Sequence, residues 1–322
     1  MKMKKRFKLV ILSRSFAKST DKPLMLLKDS GIDYALKRNN EPENEEKIAE
    51  MIGDADAVII GSERISEVVF SRCKNLKVIS KHGVGLDSVD LCGAKERNII
   101  VTNTPDANHQ SVADLTWLLI LAASRNLLKN IVSPKTFDWK VSPLTNEVYK
   151  KTIGIIGYGK IGAAVARRGM GFNNRVLVFD PMVSTRLKVN GLDIKKVELN
   201  ELLSQSDIIT LHAPLNPQSK HMINGEAFGK MKDGVILINT SRGGLIDESA
   251  LNEALIAGKV KFAGVDVFST EPPVGNPLLE LDNVIATPHI GTHTMEANYR
   301  MGMAAVHNVV TELRKIETAV PK

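Results

Sequence analysis

The chain is poor in cysteine, in aromatic residues and in long apolar runs, and each scarcity closes off a class of function. Its two cysteines, Cys73 and Cys92, form no CxxC pair and no disulfide framework, which fits free thiols in a reducing cytosol. The longest apolar run, Trp117 to Ala123, falls far short of the ~20 residues that span a bilayer, so no membrane association is expected. Met1–Arg6 is basic like a signal n-region. The apolar stretch Leu9–Leu12 stops at Ser13-Arg14, however, which leaves no signal-peptide core and predicts a cytoplasmic protein. Basic residues outnumber acidic ones, giving a net charge of +7 and a pI near 9.2. No basic run exceeds Lys4-Lys5-Arg6 and no aromatics alternate with it, so the charge suits small anions and not nucleic acid. No metal is expected. His289 and His293 are four apart, but Gly291 between them disfavours a shared helix and no acid or cysteine stands nearby to complete a site. The other histidines, His82, His109, His212, His221 and His307, are scattered.

What the chain does have is apolar content, 43% over 322 residues, enough for two domains. Strand-length apolar runs recur with helical patterns between them. Phe7–Leu12, Ala57–Ile60, Leu76–Ser80 and Asn98–Thr102 come first; Thr152–Ile156, Arg175–Phe179, Asp207–Leu211, Gly234–Ile238, Ala263–Val267 and Val284–Thr287 follow. Such alternation predicts parallel sheets covered by helices, and runs like Val235-Ile236-Leu237-Ile238 predict strands buried on both faces. The expected fold class is α/β, with two doubly wound parallel-sheet domains. A helix over Asn108–Asn130 carries the stripe Trp117-Leu118-Leu119-Ile120-Leu121, read as core with a share left for a dimer face. Polar Ser133–Tyr149, with two prolines, is read as a loop.

The most specific stretch runs from Thr152 to Asp180: an apolar strand, Gly157-Tyr158-Gly159-Lys160-Ile161-Gly162, a helix, a second strand and an acid 18 residues after the last glycine. A GxGxxG alone says little, but a βαβ unit closed by an acid is the setting that gives it meaning. Gly157 permits the tight turn, Gly159 lets backbone approach a pyrophosphate, and Gly162 allows close helix–strand packing. The helix N-terminus offers N–H groups to the phosphate. Asp180 can accept the adenosine ribose hydroxyls and would repel a 2′-phosphate, which favours NAD over NADP.

Ligands of open α/β sheets bind beyond the carboxyl ends of the strands. Four strands of the second half run there into Asn239-Thr240-Ser241-Arg242-Gly243-Gly244, Asp266-Val267-Phe268-Ser269-Thr270-Glu271-Pro272, Thr287-Pro288-His289-Ile290-Gly291 and His212-Ala213-Pro214. Arg242 offers a planar fork for a carboxylate and can polarise a neighbouring carbonyl. His289 suits proton exchange with a carbinol oxygen near neutral pH. Glu271 beside it would orient the imidazole and raise its pKa. Singly, each has a plain alternative: a surface ion pair, a loop acid before proline, a capped loop histidine. Three together on adjacent strand ends point to reduction of a 2-oxo acid. In the first half, Gly83-Val84-Gly85-Leu86-Asp87 follows a strand, either as a backbone cradle for a small anion or as a plain turn.

With these residues the chain resembles the D-isomer-specific 2-hydroxyacid dehydrogenases over nearly its whole length. The resemblance rests on six landmarks in order: Gly83–Asp87, Ser111-Val112-Ala113-Asp114, Gly157–Gly162, Asn239–Gly244, Asp266–Pro272 and Pro288–Gly291. It implies catalysis by Arg242, Glu271 and His289, a nicotinamide carboxamide contact for Asp266, and substrate carboxylate held by the backbone of Val84-Gly85. It also assigns Thr240, Gly291 and His212-Ala213-Pro214 to the cofactor site with the glycine loop and Asp180. The implied domains are a Rossmann NAD-binding domain at 107–292 and a smaller flavodoxin-like substrate domain at 1–106 and 293–322, with the site in the cleft between them. Ser13–Phe16, Gly61–Ile65 and Lys81–Gly83 are similar to the phosphoglycerate dehydrogenase type, in which Arg64 and Lys81 would meet a phosphate. No C-terminal regulatory domain is expected after Lys322. Two departures stand out: Asp114 where glutamate is usual, and Lys150 where glycine is common. The expectation is a cytosolic homodimer that uses NAD to interconvert 3-phosphoglycerate and its 2-oxo acid, with glyoxylate or hydroxypyruvate reduction as the alternative. An NAD-sensing binding protein is the alternative of another class.

Overall fold

The computed structural model describes residues 7–38, 44–131, 144–183 and 194–319. The chain begins with β1 (Lys8–Ile11), α1 (Lys22–Ser30), β2 (Asp33–Leu36), α2 (Glu45–Ile52), β3 (Ala57–Ile60), α3 (Glu67–Arg72), β4 (Val78–Lys81), α4 (Leu91–Glu96) and β5 (Ile100–Thr102). It continues through α5 (His109–Ser124), α6 (Leu127–Asn130), β6 (Thr152–Ile156), α7 (Lys160–Gly169), β7 (Arg175–Phe179), β8 (Ile194–Lys196), α8 (Leu199–Gln205) and β9 (Ile208–Leu211). Last come α9 (Gly225–Lys230), β10 (Val235–Asn239), α10 (Glu248–Ile256), β11 (Val260–Val265), β12 (Val284–Ala286) and α11 (Met295–Ala319). Of the expected loop Ser133–Tyr149, residues before 144 lie outside the described ones.

The chain divides into two compact units, Met1–Asn108 with Thr292–Lys322, and His109–Gly291. The first holds a parallel sheet in the order β2-β1-β3-β4-β5, the flavodoxin-like pattern. Its central strand β3 is Ala57-Val58-Ile59-Ile60, all at 0% exposure, because helices cover both faces. On one face, Ala305, Val306, Val309 and Leu313 of α11 recur at helical spacing and bury against Phe7, Leu9, Ile11 and Leu27. Ile48, Ile52, Val69 and Phe70 of α2 and α3 cover the other. Each fully buried side chain of this kind contributes roughly 1.5–3 kcal/mol.

The second unit is a seven-stranded parallel sheet, β12-β11-β10-β9-β6-β7-β8. Its order reverses between β6 and β9, where Ile156 lies beside Leu211. That reversal opens a crevice at the carboxyl ends of the strands. Helix α5 lays Trp117, Leu119 and Ile120 into the core, with Trp117 Nε1 donating to Val165 O at 3.0 Å and its ring stacked 4.9 Å from Phe172.

Several expected bounds shift, each for a physical reason. Strand β11 begins at Val260 instead of Ala263, since Val260 and Phe262 already pair with Val235 and Ile236 of β10 around the extra residue Lys261. The helix expected over Asn108–Asn130 is two helices, parted where Asn126 turns left-handed at φ 46°. The stripe on it is mixed: Leu118 and Leu121 are 57% and 38% exposed. Strands β2 and β8 were not expected at all; both lie at sheet edges.

Candidate active site

Arg242, Glu271 and His289 follow the carboxyl ends of β10, β11 and β12, and the chain fixes each in turn. Asn239, buried at the end of β10, accepts Ser241 N–H at 3.0 Å and donates to Arg242 O at 2.8 Å, which folds the turn that presents Arg242. Gly243 follows because nothing larger fits: a Cβ there would lie 2.0 Å from the backbone of Phe268. The Arg242 turn is thus packed on the loop that begins with Asp266. In that loop Phe268 N–H donates to Glu271 Oε1 at 3.1 Å, and His289 Nδ1 donates to Glu271 Oε2 at 2.8 Å. With Nδ1 so engaged, Nε2 is the nitrogen left for chemistry on a half-exposed imidazole.

Asp266 holds the His289 loop. Its carboxylate, in a residue 1% exposed, accepts Thr287 Oγ1–H at 2.6 Å, Ile290 N–H at 2.8 Å and Gly291 N–H at 2.9 Å. Its carbonyl accepts His289 N–H at 3.0 Å. His289 itself sits at φ 53°, a left-handed conformation that a side chain adopts only when its surroundings impose it. The nicotinamide contact expected of Asp266 therefore meets a carboxylate already turned to this loop.

The electrostatics follow from that geometry. The hydrogen bond that His289 donates to Glu271 raises the His289 pKa; burial opposes this, the charges of Glu271 and Asp266 add to it, and Arg242 subtracts. Burial pushes the Glu271 carboxyl up, but the His289 bond and charge, the Phe268 N–H and Arg242 outweigh it and bring it below the usual range. Arg242 is thus close enough for its charge to reach both partners. His212, at the end of β9, is different. Burial pushes its pKa down to about 3, so it is neutral at physiological pH, with Nε2 3.0 Å from Thr210 Oγ1 and Nδ1 buried without a partner among the described residues.

The glycine loop fits a dinucleotide. Gly157 lies at φ +92°, and its Cβ would meet the His212-Ala213 backbone at 2.6 Å; a Cβ on Gly162 would lie 2.2 Å from Gly157 O. Gly159, by contrast, faces open space at the N-terminus of α7, where first-turn N–H groups lack helical acceptors. Asp180 reaches back from β7 to accept Tyr158 N–H at 2.7 Å and Met182 N–H at 2.8 Å, and each oxygen keeps a further lone pair. Thr240 Oγ1 lies 3.0 Å from Thr116 Oγ1, and Ser241 Oγ donates to Ala213 O at 2.6 Å, tying the cofactor-side loops together.

In the first unit, Thr104 donates to Gly83 O through both N–H and Oγ1, at 2.9 and 3.0 Å, and Asn103 Nδ2 donates to Val84 O at 2.7 Å. These bonds fix the carbonyls of Gly83 and Val84 in the turn. Arg64 Nε donates to Glu45 at 2.9 Å, and Lys81 Nζ donates to Gly61 O and to Ser88 Oγ. Asn103 and Thr104 were not singled out in the sequence, and Asn239 stood there only as the first residue of a landmark. Among the described residues no group of three or more His, Cys, Asp or Glu is placed to hold a metal ion. No helix there is long and apolar enough to cross a membrane.

Residues 117–291 match the family described as D-isomer specific 2-hydroxyacid dehydrogenase, NAD binding domain. The chain belongs to this family. It is 42% identical over 273 residues to a hydroxypyruvate reductase of Thermotoga maritima, covering 83% of this chain and 88% of that one. It is 42% identical over 272 residues to a D-3-phosphoglycerate dehydrogenase of Methanocaldococcus jannaschii, covering 84% of this chain but 52% of that one. The chain thus spans about half the length of that relative. A glyoxylate reductase structure from Paecilomyes thermophila superposes with a TM-score of 0.83 at 30% identity, covering 97% of each chain. As a D-2-hydroxyacid dehydrogenase the chain carries out NAD-dependent oxidoreduction of a small-molecule 2-hydroxy acid.

Proposed function

We propose that this dehydrogenase interconverts a D-2-hydroxy acid and its 2-oxo acid with His289 as acid–base, Glu271 as its anchor and Arg242 on the substrate. The observation that carries the reading is the 2.8 Å His289–Glu271 pair set beside Arg242. When bound, NADH supplies the hydride and NAD⁺ accepts it. The chain's own groups do the rest. Arg242 pairs with the substrate carboxylate and polarises the adjoining carbonyl, and the Val84-Gly85 backbone of the first unit is the proposed carboxylate-binding turn. His289 Nε2 gives a proton to the developing alkoxide in reduction and takes it back in oxidation. Asp180 accepts the ribose hydroxyls through its remaining lone pairs, and the first turn of α7 holds the pyrophosphate.

The preferred substrate pair is 3-phosphoglycerate and 3-phosphohydroxypyruvate, of serine biosynthesis, supported by the cations Arg64 and Lys81 at the carboxyl ends of β3 and β4. Glyoxylate or hydroxypyruvate reduction is the second reading. It is favoured by the engagement of Arg64 with Glu45 and by a hydroxypyruvate reductase of matching length. NADH oxidation against 3-phosphohydroxypyruvate, hydroxypyruvate, glyoxylate and pyruvate decides between them. The highest kcat/KM with the phosphorylated acid supports the first, and preference for an unphosphorylated acid overturns it. We also propose a cytosolic homodimer. Free Cys73 and Cys92 support the compartment, and exposed Leu118, Leu121, Leu127, Leu128 and Ile131 along α5 and α6 support the dimer. Light scattering should return twice the 35.3 kDa chain mass; a monomeric mass would sink it.

A further inference from the structure

Glu248 lies outside every motif of the sequence. It opens α10, just after the Arg242 turn, where an acid ordinarily complements the helix dipole. The helix is already capped by Asp247, which accepts Ser249 N–H at 3.1 Å and Ala250 N–H at 3.2 Å. Glu248 turns elsewhere. Its Oε1 accepts Ser269 N–H at 2.6 Å, and its Oε2 accepts Asn276 Nδ2–H at 2.7 Å. These two donors bracket Glu271 in the chain. Asn276 is held in place in turn, since its Oδ1 accepts Leu278 N–H at 3.0 Å. The stretch between them has no helix or strand to stiffen it. Charge-assisted bonds to one carboxylate tie both ends to α10, while Val274 N–H to Pro272 O at 2.9 Å and Asn276 N–H to Pro273 O at 3.2 Å tighten the turn within the stretch.

We propose that Glu248 is a positioning residue of the active site, clamping both ends of the loop that carries Glu271 and so keeping Glu271 on His289. The proposal rests on the acid–base reading of His289 given above, and it acts through Glu271 instead of on substrate. Loss of the clamp should let the Glu271 carboxylate drift from Nδ1, and misplacement by about 1 Å can cost on the order of a hundredfold in rate.

The test compares Glu248→Ala and Glu248→Gln in the full-length protein. Three quantities are followed: kcat against pH with the best 2-oxo acid, NADH affinity by fluorescence, and titration of the His289 imidazole by NMR, assigned with His289→Ala. In Glu248→Ala, kcat should fall roughly ten- to hundredfold, the His289 titration should move to lower pH, and NADH affinity should hold. Glu248→Gln keeps an acceptor for Ser269 N–H but sets an amide N–H against Asn276 Nδ2–H, and should recover part of the rate lost in Glu248→Ala. A His289 titration at its wild-type pH in Glu248→Ala would overturn the proposal. So would equal losses of rate and NADH affinity in both variants, since that marks general disruption. If His289→Ala keeps full turnover while Glu248→Ala still moves the imidazole titration, the clamp stands and the acid–base reading falls.

Discussion

At the N-terminal edge of the first sheet, Asp56 accepts Lys8 N–H of β1 at 3.0 Å and pairs with Lys77; at the same edge of the second, Asp207 accepts Thr152 N–H of β6 at 2.9 Å and pairs with Lys232 at 2.8 Å. Each aspartate precedes the strand beside the first strand of its sheet, and each lysine precedes the next strand along. The two units thus close this edge in the same way, with one carboxylate satisfying an end N–H and one cation satisfying the carboxylate. The opposite edges diverge. In the first unit, Thr104 and Asn103 take up the carbonyls of Gly83 and Val84 and so fix a backbone turn. In the second, Asn239 accepts Ser241 N–H, Asp266 accepts Gly291 N–H and Glu248 accepts Ser269 N–H, so the loops present Arg242, Glu271 and His289. One edge holds the sheet together; the other carries backbone turns with Arg64 and Lys81 in the first unit, and Arg242, Glu271 and His289 in the second.

The largest effect should come from the reactive edge of the second unit. His289→Ala should cut turnover by roughly two to four orders of magnitude and leave NADH binding intact, read by steady-state kinetics beside a fluorescence titration. Unchanged turnover would erase the distinction between the edges. Glu271→Gln sharpens it. Glu271 raises the His289 pKa, so wild-type reduction, which needs the imidazolium, is lost only as pH rises through that raised value. In Glu271→Gln the same loss should set in at lower pH, and oxidation, which needs neutral imidazole, should rise at lower pH. kcat should fall roughly tenfold or more, and a pH profile superimposable on wild type would contradict the pairing. The N-terminal edges should behave oppositely. Asp56→Asn and Asp207→Asn should each cost about 1–2 kcal/mol of stability, measured by urea unfolding, with kcat near wild type. A collapse of kcat in either would show that the two edges are not separable.

Much of this was legible because it is local. Runs such as Val58-Ile59-Ile60 and Val235-Ile236-Leu237-Ile238 read as buried strands since helices cover both faces. Less covered strands lack that pressure: Asp33-Tyr34-Ala35-Leu36 is mostly exposed and Ile194-Lys195-Lys196 is half-buried, so neither shows the long apolar run of a covered strand. Asn126 breaks a helix without the proline or glycine that would have announced it. At the site, Arg242, Glu271 and His289 could be found because each follows a strand. Their supports could not. Glu248 meets Ser269, and Asp266 meets Thr287, each across 21 residues of chain. Nothing local distinguishes such acids from an ordinary helix start or a cofactor contact.

The smallest effect concerns Lys150, which stands just before β6, where the family resemblance led us to expect glycine. The structure supplies the reason for that expectation: Lys150 lies at φ +58° and its N–H donates to Phe172 O at 2.9 Å, closing the entry to the first strand of the second sheet. A side chain in the left-handed region carries a cost of roughly 1–2 kcal/mol, because Cβ crowds the following carbonyl. Glycine removes that cost in the folded state but gains freedom in the unfolded chain, which returns part of it. Lys150→Gly should therefore stabilise by about 0.5–1 kcal/mol and raise Tm by roughly 1–4 °C, with kcat unchanged. The substitution lies at the edge that holds the sheet together, so a gain in stability without a change in rate is what the comparison of edges requires. A loss of stability would mean that the Lys150 side chain makes a contact worth more than its backbone costs.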